Sequence, residues 1–184
     1  KAVGDKKGSS LPLLLERDKS ATLRKLRHIR NSGYKIKWFH VVRNPYDNVA
    51  TMVAEYFGWP RTHVPLEGEL ANQSTWAYAG DKLRKKWQYW SNLNEKIEWY
   101  FEHANDTDEV LHVYDPDLTR DPRAEISRWC KFLGVTCSKQ YLDACAAKVF
   151  PHTFRSRDRF EWDESFVHEI RHWLHKSPYL KRFS

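Results

Sequence analysis

The chain has 184 residues, of which 41% are hydrophobic and 15% aromatic, including nine Trp. This composition favours one globular domain with a full core over a disordered chain. The formal net charge of +7 favours an anionic partner such as nucleic acid, a phosphorylated or sulfated ligand, an acidic glycan or a membrane surface; the alternative is a solvated basic face. No apolar run approaches the roughly 18 residues of a membrane-spanning helix, so we expect no transmembrane segment in this chain.

The first third of the chain predicts two strands separated by a helix. Residues 2–3 suit the end of a short strand, and the polar turn "GDKKGSS" follows at residues 4–10. Apolar residues at helical spacing predict one amphipathic helix over residues 12–29, with an inner face of Leu15, Leu23, Leu26 and Ile29. The segment "YKIKWFHVV", residues 34–42, alternates and then becomes continuously apolar, which is typical of a strand entering a parallel sheet.

The middle of the chain predicts two helices joined by a loop. The first helix runs to about residue 57, and the loop over residues 58–69 is rich in Pro and Gly. A long helix is then predicted over about residues 71–103. Its buried face is predicted to hold Trp76, Leu83, Trp87, Trp90, Leu93, Ile97 and Phe101.

The last part of the chain predicts a strand followed by three helices. The strand ends at Tyr114, and the helices are expected from Asp121-Pro122 to Gly134, over residues 138–148 and over residues 164–176. Alternating strands and helices predict an α/β fold, with a mostly parallel sheet flanked by helices, in a single domain over residues 1–184.

The three cysteines and the glycosylation patterns bear on the compartment. Cys130, Cys137 and Cys145 lack C-x-x-C spacing, so we expect no zinc site. One disulfide with one free thiol fits these cysteines, and so do three buried thiols. N-glycosylation patterns at Asn72 and Asn105 favour a secretory route slightly.

Arg43 stands where the second strand ends and a helix begins. Ligands of open parallel sheets bind beyond the carboxyl ends of the strands, and an arginine beside a helix N-terminus attracts phosphate. Thr51 follows about two helical turns later and offers a hydroxyl to the same ligand. The structural alternative is an arginine that caps the sheet edge and a threonine without a ligand.

These residues resemble a known motif. "RNPYD", residues 43–47, together with Thr51, is similar to the 3′-phosphate-binding motif of sulfotransferases. In that family an arginine at a strand end and a hydroxyl residue, usually Ser, eight positions later bind the 3′-phosphate of 3′-phosphoadenosine 5′-phosphosulfate. The resemblance therefore assigns Arg43 and Thr51 to the sulfonate donor.

A second segment is also similar to the family. Residues 113–135, "VYDPDLTRDPRAEISRWCKFLGV", resemble its strand, turn and helix that end in Phe-Leu-Gly, with one extra residue within 114–118. The resemblance places Tyr114 near the adenine. The alternative for Tyr114 is a tyrosine that closes the end of the sheet.

A third resemblance lies near the end of the chain. "FRSRDRFEW", residues 154–162, is similar to the basic loop that covers the 3′-phosphate in the family. Arg155 and Arg157 are its candidate ligands, and the sequence prefers neither. A solvated arginine-rich turn is the alternative.

One part of the family pattern is missing from the sequence. Sulfotransferases hold the 5′-phosphosulfate on a loop after their first strand, whereas residues 4–10 are more similar to a later lysine-bearing segment of the family. We therefore expect a P-loop-NTPase-like sulfotransferase architecture that lacks its N-terminal part. Lys6 or Lys7 would stabilise the leaving phosphate and Asp5 would act as a base, with a solvated polar turn as the alternative. His40, inside a predicted strand, is expected to be packed.

The resemblance predicts a sulfotransferase that moves a sulfonate group from 3′-phosphoadenosine 5′-phosphosulfate to an acceptor hydroxyl or amine, leaving 3′,5′-adenosine bisphosphate. One alternative is an inactive nucleotide-binding or scaffold relative. Another is a basic nucleic-acid-binding domain, against which the aromatic residues recur at core spacing. The positive charge favours an acidic glycan as acceptor. The glycosylation patterns and the family favour the Golgi lumen over the cytoplasm.

Overall fold

The computed structural model describes residues 10–56, 73–103, 108–153 and 155–184. Two strands are present there, β1 (Lys37–Val42) and β2 (Glu109–Tyr114). Two short 3₁₀ turns cover Ser156–Arg159 and Lys181–Phe183. The helices are α1 (Ser10–Arg17), α2 (Lys19–Asn31), α3 (Pro45–Tyr56), α4 (Gln73–His103), α5 (Asp115–Arg120), α6 (Pro122–Leu133), α7 (Lys139–Ala146) and α8 (Glu164–Lys176).

The chain divides into two compact units. The first unit consists of Lys1–Ile36 and Trp87–Glu109, and the second of Lys37–Lys86 and Val110–Ser184. Several predicted features lie outside the described residues: the short strand at residues 2–3, the turn at 4–10 up to residue 9, the loop at 58–69, and Asn72 and Asn105 of the glycosylation patterns. None of the described helices combines the length and the apolar character that crossing a membrane requires.

In the first unit, the single helix predicted over residues 12–29 is two helices. The side chain of Asp18 accepts a hydrogen bond of 2.8 Å from the backbone N–H of Ala21 and so caps the start of α2. The apolar spacing continues across this break, which is why the pattern alone did not show it. Leu15 is buried as predicted, whereas Ile29 is 42% exposed, so the predicted inner face was wrong at its C-terminal end.

Helix α4 buries part of the predicted aromatic face. Leu83 and Trp87 are 1% and 3% exposed, and Tyr100, which the pattern did not single out, is fully buried. The side chain of Trp76 lies outside the described residues. Half-buried positions on the same predicted face are Trp90, Leu93, Ile97 and Phe101. Two of the six described positions of the stripe are therefore buried and four are half-buried, so the spacing predicted the core face only in part.

The sheet of the second unit is smaller than expected. Strands β1 and β2 pair in parallel, so the described chain is mixed α/β, mostly helical, with a two-stranded sheet. Strand β1 begins at Lys37 rather than at residue 34. Val42 is 2% exposed, but Phe39 and Val41 are 40% and 69% exposed. The expectation of a strand buried on both faces was therefore wrong over these residues.

Two helices bury several apolar side chains each in the second unit. The buried side chains are Val49, Ala50, Val53 and Ala54 on α3, and Phe166, Ile170 and Leu174 on α8. The 3₁₀ turn Ser156–Arg159 packs against α3. This packing places the arginine-rich segment beside the helix that follows Arg43.

The ends of α6 lie where the capping residues in the sequence predicted them. Asp121 caps α6, and Gly134, in the left-handed conformation at φ 74°, ends it as predicted. Cys130 and Cys137 form a disulfide, and Cys145 is a free thiol. The structure thus decides between the two cysteine alternatives in favour of one disulfide.

Candidate functional site

Arg43 lies between the end of β1 and the start of α3. The side chain of Asn44 accepts a 3.0 Å hydrogen bond from the backbone N–H of Tyr46, which caps the new helix, and Pro45 suits its first turn. The Arg43 guanidinium donates a hydrogen bond of 3.2 Å from Nη1 to the Thr51 hydroxyl. The structure therefore brings together the two residues that the sequence singled out.

A third side chain, which the sequence analysis missed, joins them. The Ser156 hydroxyl lies 3.0 Å from the Thr51 hydroxyl and 3.5 Å from Nη2 of Arg43. The hydroxyl of Thr51 also donates a 2.7 Å hydrogen bond to the backbone carbonyl of Asp47. Ser156 is 105 positions beyond Thr51, so no local pattern linked them. Its position between two arginines was the available signal.

Asp47 anchors the arginine-rich turn to α3. Its carboxylate is fully buried and accepts two hydrogen bonds from Arg157: one of 2.9 Å from the backbone N–H and one of 2.6 Å from Nη1. Burial raises the pKa of Asp47, and the hydrogen bond and charge of Arg157 oppose that rise. The Arg157 guanidinium is therefore paired with a protein carboxylate. Arg155, the other predicted ligand, is exposed and pairs with Asp158 at 2.8 Å.

A cavity of about 690 Å³ opens beside this cluster, and Arg43, Thr51 and Ser156 all line it. Further polar lining residues are Glu55, Asp115, Thr119, Lys148, His152, Thr153 and Arg159. Apolar lining residues are Ala54, Leu118, Val149 and Phe150. Cations and hydroxyls are thus combined with an apolar wall, an arrangement that suits a ligand with an anionic group and a flat apolar body.

Tyr114 ends β2, as predicted, but does not line this cavity. Its hydroxyl donates a 3.2 Å hydrogen bond to the carbonyl of Tyr179, and the guanidinium of Arg182 lies 4.2 Å from its ring centre. Arg182 in turn forms hydrogen bonds of 3.0 and 3.1 Å with Asp117. These contacts fit a tyrosine that closes the end of the sheet, and a role beside adenine stays a prediction.

The remaining predicted residues lie elsewhere. Asp5, Lys6 and Lys7 are outside the described residues. His40 is packed against β2, where its Nδ1 lies 3.0 Å from Nδ1 of His112. Burial lowers the pKa of His40 to about 4, so both rings are neutral near pH 7. Among the residues described, no three His, Cys, Asp or Glu side chains are grouped to hold a metal ion.

The cluster around Arg43 has the chemistry of an anion site. A guanidinium is a permanent, planar cation, and the Ser156 hydroxyl can donate a hydrogen bond to a further oxygen of the same group. The Thr51 hydroxyl can do the same when its proton turns from the Asp47 carbonyl to the ligand. A phosphate offers several strong acceptor oxygens and therefore matches this set better than a single-charge ligand does.

Comparisons with known proteins agree with this chemistry. Residues 23–180 match the family model described as "Sulfotransferase domain". Mouse sulfotransferase 2A1 is 30% identical over 114 residues, which are 59% of this chain and 35% of that protein. Mouse sulfotransferase 2A2 is 29% identical over 114 residues, with the same coverage of each chain. The match thus spans about a third of the length of these curated relatives. No solved structure matches the chain.

Proposed function

The chain belongs to the sulfotransferase domain family, and on that premise we propose that it takes part in transferring a sulfonate group from 3′-phosphoadenosine 5′-phosphosulfate to an acceptor hydroxyl or amine. The family implies a sulfonate donor. The identity of the donor, the P-loop-NTPase-like architecture and the acceptor class are our proposals. The parallel pair of β1 and β2 with its flanking helices would belong to that architecture.

The observation that carries the proposal is the contact between Arg43 and Thr51 on the wall of the cavity. We assign the 3′-phosphate of the donor to these two side chains. The guanidinium supplies the charge-assisted hydrogen bonds and the hydroxyl supplies a further contact on the same face of α3. The cavity volume of about 690 Å³ lies within the usual range for small-molecule sites.

The rest of the cavity fits the body of a nucleotide. Leu118 and Phe150 offer apolar surface to a base, and Lys148 and Arg159 add positive charge to the lining. The donor, when bound, supplies an activated sulfonate group. The residues described here bind and orient its adenosine 3′-phosphate end. The proposed roles of Lys6 or Lys7 at the leaving phosphate and of Asp5 as base rest on the resemblance.

The compartment is a further proposal. The disulfide between Cys130 and Cys137 supports an oxidising compartment, because structural disulfides are rare in the cytosol. With the glycosylation patterns at Asn72 and Asn105, it favours the Golgi lumen. For the acceptor, the net charge of +7 supports an acidic glycan.

Two measurements test the proposed function. Calorimetric titration with 3′,5′-adenosine bisphosphate should show binding, and titration with adenosine 5′-monophosphate should show weaker binding because the 3′-phosphate is missing. A transfer assay with labelled donor should show slow transfer or none from these 184 residues, since positioning supplies much of the rate and the family's 5′-phosphosulfate loop was not recognised in the sequence.

The outcomes separate the alternatives. Binding with slow transfer supports the proposed function, whereas binding with no transfer at all supports the nucleotide-site assignment and favours the inactive, nucleotide-binding alternative for these residues. Rapid transfer would assign the 5′-phosphosulfate to residues 4–10, with Lys6 or Lys7 as the lysine of that loop. Absence of binding to either nucleotide would contradict the proposed function.

A further inference from the structure

We propose that Ser156 is a third ligand of the bound phosphate, and that Asp47 and Arg157 are positioning residues that hold it in place. The proposal rests on the proposed function, because it concerns the same anion site. It goes further by assigning a direct ligand, Ser156, in the segment where the sequence analysis had offered Arg155 and Arg157 as ligands, and by giving Arg157 a supporting role together with Asp47 on α3.

Ser156 has the position that a phosphate ligand needs. It is 7% exposed, it lines the cavity, and its hydroxyl lies 3.0 Å from that of Thr51. It is also 3.5 Å from Nη2 of Arg43. A group that accepts hydrogen bonds from Arg43 and Thr51 therefore meets the Ser156 hydroxyl as well. Three donors from two distant segments match the several acceptor oxygens of one phosphate.

Asp47 fixes the peptide group that follows the Ser156 side chain. The N–H of Arg157 and the carbonyl of Ser156 belong to one planar peptide unit. One carboxylate oxygen of Asp47 accepts that N–H at 2.9 Å, and the other accepts Nη1 of Arg157 at 2.6 Å. Asp47 is fully buried, so water does not compete for these bonds. The carboxylate therefore sets the orientation of Ser156 relative to α3.

The next peptide unit is held too. The indole N–H of Trp162 donates a 2.9 Å hydrogen bond to the carbonyl of Arg157. The Trp162 ring packs edge-on against Tyr46, with ring centres 5.1 Å apart. Both peptide groups of Arg157 are thus tied to neighbours, one through Asp47 and one through Trp162. The turn is braced on both sides of Arg157.

The alternating arginines of the turn consequently differ in role. Arg155 is exposed and paired with Asp158, Arg157 is paired with Asp47, and Arg159 lines the cavity. Because Arg157 and Asp47 together carry no net charge, the pair adds geometry to the site and little attraction for an anion. Substitution of Arg157 should therefore affect nucleotide binding, whereas substitution of Arg155 should not.

The test titrates 3′,5′-adenosine bisphosphate and adenosine 5′-monophosphate into the full chain and its variants. Ser156→Ala should weaken binding of the bisphosphate by roughly 3- to 10-fold, the effect of one lost hydrogen bond, and leave binding of the monophosphate unchanged. Arg157→Ala should weaken it by about as much and no more, and Arg157→Lys should recover part of the loss. Arg155→Ala is the matched control and should bind as wild type does.

Two further readouts separate positioning from direct contact. The double variant Ser156→Ala/Arg157→Ala should bind as Arg157→Ala does, because Arg157 acts through Ser156. The loss in Asp47→Asn/Arg157→Ala, which removes the pair without changing the net charge, should be the same at low and high salt, whereas loss of a direct cationic ligand would be larger at low salt. Additive losses, or a loss that grows as salt is lowered, would overturn the positioning role of Arg157.

A measurement without nucleotide tests the anchor itself. The amide N–H of Arg157 should exchange slowly with solvent in the wild type and faster in Asp47→Asn and Arg157→Ala. Equal exchange in all three would overturn the anchoring role of Asp47. If the wild type bound neither nucleotide, the proposed function and the ligand role of Ser156 would fall together, while slow exchange would still support the anchor.

Discussion

The two compact units each contain an arginine paired with a buried aspartate, and the two pairs have different surroundings. In the first unit Arg30 forms hydrogen bonds of 2.6 and 2.7 Å with Asp108. The hydroxyl of Tyr100 accepts from Arg30 at 2.9 Å and donates to Asp108 at 2.7 Å, which closes a ring of three side chains. In the second unit the pair of Arg157 and Asp47 lies next to the hydroxyl and guanidinium cluster on the cavity wall.

The difference shows that a buried ion pair alone does not mark a binding site. Asp108 is 1% exposed and Asp47 is fully buried, so burial does not separate them. The separating feature is what lies beside each pair. The first pair shares its hydrogen bonds with a buried tyrosine, and the second orients a residue, Ser156, whose hydroxyl faces a cavity. We infer that the first pair serves stability alone, whereas the second serves both stability and ligand binding.

Removal of Arg30 should have the largest effect, a loss of stability without a loss of nucleotide binding. Arg30→Ala leaves the Asp108 carboxylate buried without its cation, which should lower the free energy of unfolding by about 3–5 kcal/mol. Nucleotide affinity of the folded protein should not change. Urea unfolding measures the first effect, with Arg27→Ala, an exposed position on the same helix, as the control. A stable Arg30→Ala protein with impaired nucleotide binding would reverse the assignment of the two pairs.

Lowering the pH should reduce the stability of the protein through the second unit, because His40 and His112 face each other there. Burial lowers the pKa of His40 to about 4 from 6.5, and burial and the charge of Arg128 lower that of His112. The folded state therefore disfavours protonation, so its stability is complete above pH 6.5 and falls as the pH drops towards 4. His40 alone should account for about 3 kcal/mol of this loss.

The pH dependence is measured as the free energy of unfolding at several pH values. His40→Gln should flatten the profile between pH 6.5 and 4, whereas His28→Gln, at an exposed position, should leave it unchanged. A profile in His40→Gln identical to that of the wild type would show that the contact between the two rings does not resist protonation.

Thr51→Val should have a smaller effect, mainly on the affinity for the bisphosphate. The change keeps the shape of the side chain and removes one hydroxyl from the anion cluster, so bisphosphate affinity should fall by the equivalent of about 0.5–1.5 kcal/mol. The hydroxyl also bonds the carbonyl of Asp47, so a small effect on stability accompanies this change. Calorimetry with both nucleotides checks the result, and equal losses for the two would argue against contact with the 3′-phosphate.

The smallest effect is expected at Arg155. Its pair with Asp158 is exposed at both side chains, 64% and 53%. Such surface pairs contribute about 0–1 kcal/mol, so Arg155→Ala should change neither unfolding nor nucleotide affinity appreciably. A tenfold loss of affinity would return Arg155 to the list of direct ligands.

Features with a local cause were predictable from the sequence. The start of α6 at Asp121-Pro122, its end at Gly134 and the bounds of α8 follow from capping residues and apolar spacing within a few positions. The position of Arg43 after a strand and before a helix was predictable for the same reason. The break at Asp18 was missed because the apolar spacing continues through it.

Features that depend on distant segments were not predictable. The Asp47 carboxylate meets Arg157 110 positions later, and nothing in either segment alone indicates the pairing. The sequence analysis accordingly named Arg155 and Arg157 as equal candidates for phosphate ligands and did not identify Ser156. The family resemblance identified the segment as part of the site, but the roles of its individual residues depend on packing against α3.

The decisive question is whether Arg43 binds the 3′-phosphate of the nucleotide. Wild type and Arg43→Ala are titrated with 3′,5′-adenosine bisphosphate and with adenosine 5′-monophosphate. We expect the wild type to prefer the bisphosphate by about 10- to 150-fold, the value of a bidentate charge-assisted contact. Arg43→Ala should fold normally and lose most of this preference. An equal preference in both proteins would contradict the assignment of the 3′-phosphate to Arg43.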